Sequence, residues 1–299
     1  MNLRLNRTNL YLIRHGEAAC NVDGTIAGIR SDVGLTELGI TQVQRLRDRL
    51  AATGEIVASA LISSTLPRAL QTAEIIAPAL GLPITPDDDA QELRPGEADG
   101  LNVTDFLERY GPFSDFREDP YLPLAPGGES WGSFTARVGE FLYRIVREHV
   151  GQSVVIVCHG GVIDASLLIG LGVGATAPAP GQFHTRNASI THWEREHIKG
   201  LDTWRLNRYN DNLHTRDIGA AQRIAWAPVS DREGVSAMLL PTEALETAEL
   251  AEPAAASSEQ AEAAASPDAA AQMEMAPTPD VAPAVSARPV VTPGKARRA

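Results

Sequence analysis

The chain has 299 residues, 43% of them hydrophobic, which is enough for a sizeable core in one or two domains. Its net charge of −12 excludes the broadly basic surface that binds nucleic acid or anionic membranes, although a local cationic pocket is still allowed. The only cysteines, Cys20 and Cys158, do not form a CxxC pair, so the sequence indicates neither a disulfide framework nor a zinc site.

The first predicted element is a short buried strand that ends in charged residues. Leu10, Tyr11, Leu12 and Ile13 form an apolar run, and Arg-His-Gly-Glu follows at residues 14–17. So short an apolar run is typical of a parallel strand that is buried on both faces. Polar groups that follow such a strand lie at the carboxyl edge of the sheet, where open α/β sheets bind ligands.

Helices and strands alternate in the next part of the chain, after a loop over residues 18–33. A helix with Thr36 as its N-cap ends at Gly54, a strand lies near Val57–Ile62, a helix runs from Pro67 to about Leu80, and residues 82–86 form a third strand. The order strand, helix, strand, helix, strand is the signature of a parallel α/β sheet.

Residues 87–128 interrupt this alternation, because the segment is rich in loops and proline. We interpret it as an insertion, or lid, with one helix near Val103–Tyr110. Candidate substrate contacts in this insertion are Arg94, Phe106, Tyr110 and Phe113, although these side chains could equally pack the insertion against the domain.

The alternation resumes behind the insertion. The predicted elements are a periodic helix over Ser130–Glu148, a buried strand over Ser153–Cys158, a helix from about Val162 to Gly170, and two strands over Ser189–Glu194 and Leu201–Leu206. We expect the last two strands to form a hairpin at a sheet edge. The predicted fold is therefore an α/β three-layer sandwich with a mostly parallel central sheet flanked by helices.

Two predicted strands end in histidine, His15 after the first and His159 after the strand over 153–158. Both rings reach the same edge of the sheet if both strands are parallel and central. Arg14 precedes the first histidine, and Arg68 lies in the first turn of the helix after the second strand. Two arginines and two histidines would form a cationic pocket that suits a dianion such as a phosphate monoester.

Such a pocket contains the parts needed for phosphoryl transfer. A neutral imidazole can attack phosphorus, and the two arginines with a protonated His159 could hold the equatorial oxygens. The leaving oxygen needs a proton, which a carboxylic acid can supply. Glu92 is the leading candidate for this acid, with Glu17 and Asp32 as competitors.

Seven motifs follow one another over roughly the first 215 residues. They are RHGE at 14–17 with Asn21 six residues after the histidine, LTELG at 35–39, SSTLPRALQTA at 63–73, E-x3-G-x3-G from Glu92 to Gly100, PGGES at 126–130 with Arg137 behind it, CHGG at 158–161, and the strand end over 207–214. Together they resemble the motifs of the histidine phosphatase superfamily, also called the phosphoglycerate-mutase-like family.

The resemblance implies that His15 is the phosphorylated nucleophile and that Glu92 is the acid that later activates water. The implied catalytic residues are His15, Glu92 and His159, and the implied phosphate-binding residues are Arg14, Asn21, Arg68 and Gly160. The family uses no metal, so we expect no metal or other cofactor. We assign residues 1–225 to a catalytic domain of this kind and residues 226–299, rich in Ala, Pro and Glu, to a disordered tail.

Three features depart from the family pattern. The loop over residues 28–32 is one residue longer than usual, which affects any substrate contact there. Cys158 stands where a serine, threonine or small residue is commoner, and Ala98 and Asp99 replace the usual tryptophan and glutamate of the acid loop.

The predicted function is a metal-independent phosphomonoester hydrolase that acts on a small phosphorylated metabolite through a phosphohistidine. A phosphoglycerate mutase is the alternative, which we disfavour because the insertion contains only Arg94, Arg109 and Arg117. A second alternative is a module that binds a phosphate ligand without turnover, although such a module has no need of a proton donor at residue 92. The N-terminal region lacks the form of a signal peptide, so we expect a cytoplasmic protein without nucleic-acid or membrane partners.

Overall fold

The computed structural model describes residues 7–112, 119–174, 183–198 and 201–218 of the chain. Its elements are β1 (Arg7–Arg14), α1 (Ala19–Asp23), α2 (Glu37–Thr53), β2 (Ala60–Ser64), α3 (Pro67–Leu80), β3 (Ile84–Asp87), α4 (Val103–Tyr110), α5 (Trp131–Glu148), β4 (Ser153–Cys158), α6 (Gly160–Gly170), β5 (Ile190–Ile198) and β6 (Leu201–Asp211). The predicted domain limit at residue 225 and the predicted tail over 226–299 lie outside the described residues.

The strands form one mixed sheet in the order β3-β2-β4-β1-β5-β6. The first four strands of this order run parallel, whereas β5 and β6 pair antiparallel with their neighbours. Both the mostly parallel sheet and the hairpin at its edge are confirmed. β1 and β4 are neighbours in the middle of the sheet, with Arg14 opposite Cys158, so their carboxyl ends lie side by side.

Helices cover both faces of the sheet, which confirms the three-layer sandwich. Leu10 and Leu12 of β1 face one layer, where they pack with the buried side chains of α5 and α6. Ile13 points to the opposite face and packs with α2 and α3. Because side chains alternate along a strand, the continuous apolar run of β1 supplies both cores at once.

The helix ends follow local capping signals. Thr36 caps α2 by accepting a hydrogen bond from the Gly39 N–H, and Gly54 ends that helix in the left-handed conformation. Ser130 caps α5 by accepting a hydrogen bond from the Ser133 N–H. The GESWG sequence around it fits the G-x-S-x-G pattern of serine hydrolases, but here it starts a helix and does not form the strand-to-helix turn that such a nucleophile needs. No helix in the described part of the chain is long and apolar enough to cross a membrane.

The insertion has its own small core. Phe106 of α4 is completely buried among Ile26, Ala98, Leu124 and Ala125. The expectation that Phe106 contacts substrate is therefore wrong, and the packing interpretation holds for this residue. Tyr110 packs beside it with ring centroids 5.5 Å apart, and Phe113 lies outside the described residues.

Candidate active site

The adjacent carboxyl ends of β1 and β4 bring both predicted histidines together. The backbone N–H of His15 donates to the backbone carbonyl of Cys158 over 3.0 Å, which fixes the two strand ends against each other. The imidazole rings of His15 and His159 are buried, with centroids 5.2 Å apart and planes tilted by 56°.

The His15 ring has one defined proton position. Its Nδ1 lies 2.6 Å from the Gly16 carbonyl oxygen, which can only accept, so we assign the ring proton to Nδ1. Burial, followed by the nearby charges of Arg68 and Arg14, lowers the pKa of His15 well below its usual value. The resting ring is therefore neutral, and its Nε2 carries a free lone pair.

An asparagine that the sequence analysis missed holds His15 in place. The buried Asn187 donates to the His15 carbonyl over 3.1 Å and to the Asn21 Oδ1 over 3.3 Å. The Asn21 Oδ1 also accepts from the Ala18 N–H, so the side-chain oxygen of Asn21 is already engaged and its amide nitrogen is the group available to a ligand. Asn187 lies in the loop before β5, where no motif distinguishes it from any other polar residue.

The two predicted arginines are buried and oriented by the protein. Arg14 donates from Nη1 to the Thr185 carbonyl. Arg68 donates from Nη1 to the Asp32 Oδ2 over 2.7 Å, and both of these side chains are at least 95% buried. Asp32 is therefore the ion-pair partner of Arg68 and not a free competitor for the role of acid. The Arg68 Nε is buried and has no hydrogen-bond partner within the described residues, which fits a site for an anion.

The Glu92 side chain contacts the N-terminal end of α6, whose N-cap residue is His159. Its Oε2 accepts from the Gly161 N–H over 2.9 Å, and its Oε1 accepts from the Leu93 N–H over 3.0 Å. The carboxylate is thus held against the second residue of the helix that His159 precedes. Gly160, the first residue of α6, is buried at the same place.

Arg137 holds the loop that carries Glu92. The sequence analysis named this arginine only as part of the PGGES motif. Arg137 donates to the carbonyls of Asp89, Gln91 and Glu92 over 2.7–3.2 Å. It also forms a two-bond ion pair with Glu129, with both bonds at 2.7 Å. Burial alone would raise the pKa of Glu129, but the hydrogen bonds from Arg137 keep it below its usual value.

Glu17, the other competitor for the acid, anchors the strand end to α2. The buried Glu17 accepts from the Thr36 hydroxyl at Oε1 over 2.8 Å, and its N–H donates to the Gln42 side chain over 2.9 Å. These contacts tie Glu17 to the start of α2, so its described bonds are structural.

The surroundings of His159 determine the charge of its ring in the resting site. Burial, followed by the electrostatic effects of Arg68, the adjacent His15 ring and Arg14, lowers the pKa of His159 well below its usual value. The resting ring is therefore neutral, because a cation would be desolvated beside two guanidinium groups, whereas the protonated ring is an expectation for the phosphate-bound site. The His159 Nε2 lies 2.7 Å from the Ser64 hydroxyl, and its buried Nδ1 has no protein partner in the described part of the chain.

A cleft of about 530 Å³ opens next to Glu92. Its lining residues are Gly28, Ile29, Arg30, Leu66, Gln91, Glu92, Leu93, Arg94, Pro95, Gly96, Glu97, Asp99, Pro126 and Gly127. Arg94 is one of these residues, and its contact with substrate stays a prediction. His184 and Arg186, in the loop before β5, contact the Asn210 side chain through their backbones.

Two of the departures from the family pattern contact each other at this cleft. The Asp99 carboxylate accepts hydrogen bonds from the Gly28 N–H, the Arg30 N–H and the Ser31 hydroxyl. These bonds bring the pKa of Asp99 below its usual value although burial opposes the shift. The residue that replaces the family's glutamate thus fastens the longer loop to the acid loop.

Cys158 has the features of a structural residue. The thiol is fully buried, and burial, with the nearby Glu92 charge, raises its pKa above the usual value. Among the described residues, no group of three or more His, Cys, Asp or Glu side chains has an arrangement that could hold a metal ion.

Comparisons with known proteins identify the family of the chain. A family sequence model described as histidine phosphatase superfamily (branch 1) matches residues 10–212. Phosphoglycerate mutase-like protein 4 from Arabidopsis thaliana is 38% identical over 218 residues, which cover 71% of this chain and 89% of that protein. Metal-independent phosphoserine phosphatase from the same plant is 31% identical over 222 residues, covering 72% and 87%. The structure of mycobacterial glucosyl-3-phosphoglycerate phosphatase aligns with a TM-score of 0.59 at 28% identity, covering 68% of this chain and 99% of that one.

Proposed function

Because the chain belongs to the histidine phosphatase superfamily, we propose that it hydrolyses phosphomonoesters of small metabolites through a phosphohistidine at His15. Its relatives include a metal-independent phosphoserine phosphatase, which supports hydrolysis without a metal. The observation that carries the proposal is the hydrogen bond from the His15 Nδ1 to the Gly16 carbonyl. This bond leaves Nε2 as a neutral, oriented nucleophile beside two buried arginines.

In the first step, the His15 Nε2 attacks phosphorus and the bond from phosphorus to the ester oxygen breaks. Glu92, protonated at this stage, gives its proton to the leaving oxygen, so that a neutral alcohol departs. Arg14 and Arg68 bind the equatorial oxygens, where negative charge collects in the transition state. The amide nitrogen of Asn21 adds a further donor to the same group.

In the second step, the Glu92 carboxylate takes a proton from water as the water oxygen attacks phosphorus. The bond from phosphorus to Nε2 breaks, inorganic phosphate forms, and the His15 ring returns to its neutral form. Glu92 then carries the proton that it needs for the next cycle. The carboxylate is held by the Gly161 and Leu93 N–H groups, and this fixed position suits a residue that must act on both the ester oxygen and the water.

The alcohol part of the substrate would extend into the cleft of about 530 Å³, since Glu92 lines that cleft and must reach the leaving oxygen. The cleft has apolar side chains such as Leu66 and Leu93 and charged ones such as Arg30 and Arg94. Its size and mixed lining suit a small organic phosphate better than a macromolecule.

The dependence of activity on the leaving group tests the role of Glu92. We expect Glu92→Gln to lower kcat/KM about 100-fold or more for alkyl phosphates, whose leaving oxygen needs a proton. The loss for p-nitrophenyl phosphate should be much smaller, because p-nitrophenolate leaves without one. Glu108→Gln is the matched control, since Glu108 is exposed on α4 of the same insertion. Equal losses for both kinds of substrate would refute the assignment of the acid.

A phosphoglycerate mutase is the second candidate, and the 38% identity to phosphoglycerate mutase-like protein 4 is the observation that favours it. A mutase keeps water from the phosphohistidine and returns the phosphoryl group to a second hydroxyl. An assay with a phosphoglycerate and a bisphosphate primer separates the two candidates, since we expect inorganic phosphate and not the isomer. Binding of phosphate esters without any turnover across a broad panel would instead support a non-catalytic module.

A further inference from the structure

Ser64 at the end of β2 contacts the ring of His159. β2 is the neighbour of β4 in the sheet, so the serine reaches the histidine from the adjacent strand end. The Ser64 Oγ lies 2.7 Å from the His159 Nε2 and also accepts from the Leu66 N–H over 3.3 Å. Both Ser64 and His159 are completely buried.

These contacts determine which atom carries the hydrogen between Ser64 and His159. A hydroxyl has one proton to donate, and the Leu66 N–H already occupies one of its acceptor positions. Within the described residues, the only acceptor for the Ser64 proton is the His159 Nε2. If Nε2 donated instead, the hydroxyl proton would be buried without an acceptor, which costs free energy.

We propose that Ser64 is a positioning residue that donates to the His159 Nε2 and thereby directs the Nδ1–H of a neutral ring at the bound phosphoryl group. The inference rests on the proposed function only in that the site binds phosphate. The His159 Nδ1 is buried and has no protein partner among the described residues, and the His15 ring lies 5.2 Å away between centroids.

The opposite tautomer would not bind an anion at this position. It would aim the Nδ1 lone pair at a phosphate oxygen, which is also an acceptor. A protonated ring would offer two donors, but it would add a third cation to a buried site that holds two guanidinium groups. A neutral ring fixed by Ser64 supplies the donor without that cost.

The tautomer can be read directly by NMR of the full chain with isotope-labelled histidine side chains. In phosphate-free protein at neutral pH, we expect the His159 Nδ1 to have a pyrrole-like and Nε2 a pyridine-like nitrogen shift. His159→Gln identifies the signals by their loss. A pyrrole-like Nε2, or a ring protonated on both nitrogens, would overturn the inference.

A pair of neighbouring serines tests the effect on binding. Ser63 and Ser64 are both completely buried in β2, but the Ser63 hydroxyl donates to the Ser64 carbonyl and not to His159. We expect Ser64→Ala to weaken inorganic phosphate binding, measured by calorimetry, about tenfold, the effect of one hydrogen bond to a charged group. Ser63→Ala should bind phosphate like the wild-type protein. Ser64→Thr, which keeps the hydroxyl, should also bind phosphate with wild-type affinity.

Unchanged phosphate affinity in Ser64→Ala, or an equal loss in Ser63→Ala, would refute the role of Ser64. Neither measurement depends on turnover. If the protein binds phosphate but hydrolyses no ester, the proposed function fails while the test of Ser64 stands.

Discussion

Replacing Gly39 by alanine should displace the backbone that carries the nucleophile. Gly39 lies in the first turn of α2 and packs directly on the strand end after β1. A Cβ at this position would lie 2.0 Å from the Glu17 carbonyl oxygen and 2.8 Å from the Glu17 carbonyl carbon. These are backbone atoms, so no side-chain rotation can relieve the overlap.

The size of the effect follows from that distance. An ordinary contact needs at least 3.4 Å, so Glu17 and α2 must separate by 1.4 Å, the difference between 3.4 and 2.0 Å, two residues from His15. Overpacking of this kind costs about 1–3 kcal/mol, and the better helix propensity of alanine returns about 0.5–1 kcal/mol of that. The middle of the two ranges gives an expected net loss of about 1 kcal/mol, or a fall in Tm of about 2–4 °C. A misplacement of about 1 Å at the nucleophile should also lower kcat/KM about 100-fold.

Gly139→Ala is the matched control, because Gly139 is also in a helix. Its added Cβ would meet only the Ile169 Cδ1, at an ordinary 3.6 Å. Gly139→Ala should therefore raise stability by about 0.5–1 kcal/mol and leave activity unchanged. Urea unfolding and phosphate-release kinetics measure both variants. Wild-type stability and activity in Gly39→Ala would contradict the close approach of α2 to the catalytic segment.

Two further predictions concern the support of the acid loop and the pH dependence of stability. Arg137→Met should lower the free energy of unfolding by about 2–3 kcal/mol, because it removes the donor to three carbonyls and leaves the Glu129 carboxylate with the Arg94 N–H but without its ion-pair partner. The exposed Arg147 of the same helix is the control, and Arg147→Met should stay within about 0.5 kcal/mol of wild type in urea unfolding. Burial lowers the pKa values of His15 and His159 in the folded chain, so the unfolded chain binds more protons below its own histidine pKa of about 6.5. Stability should be complete above about pH 6.5 and fall by about 1 kcal/mol or more on going to about pH 5.5. Equal urea midpoints at the two pH values would contradict the neutral buried rings.

Much of the fold could be predicted because its signals are local. The helices α3 and α4 and the strand β4 have the predicted limits, since a proline start, capping residues or an uninterrupted apolar run define them. The strand β2 starts later than predicted, because Val57 in the apolar run before it is exposed. The five-residue helix α1 was missed, as one turn is too short for a periodic pattern.

The convergence of the two histidines could be predicted, because the carboxyl ends of parallel strands lie at the same edge of a sheet. The contacts around the two rings could not be predicted in this way. Asn187, Thr185 and Ser64 reach the site through strand order and loop paths that no local pattern encodes. The lowered pKa of His159 results mainly from burial, and the sequence alone does not show how deeply an individual ring is buried. The ion pair of Asp32 with Arg68 joins residues from a loop and a helix, so it too required the structure.

The most direct test of the account is to trap the covalent intermediate. The full chain is mixed with a radiolabelled phosphate ester, quenched in alkali, and the label is located by peptide mapping. The account predicts an acid-labile, alkali-stable phosphoryl group on His15, absent in His15→Ala and retained in His149→Ala, whose ring contacts Gln152 outside the site. Phosphate release without label on the wild-type protein, or label that persists in His15→Ala, would contradict it.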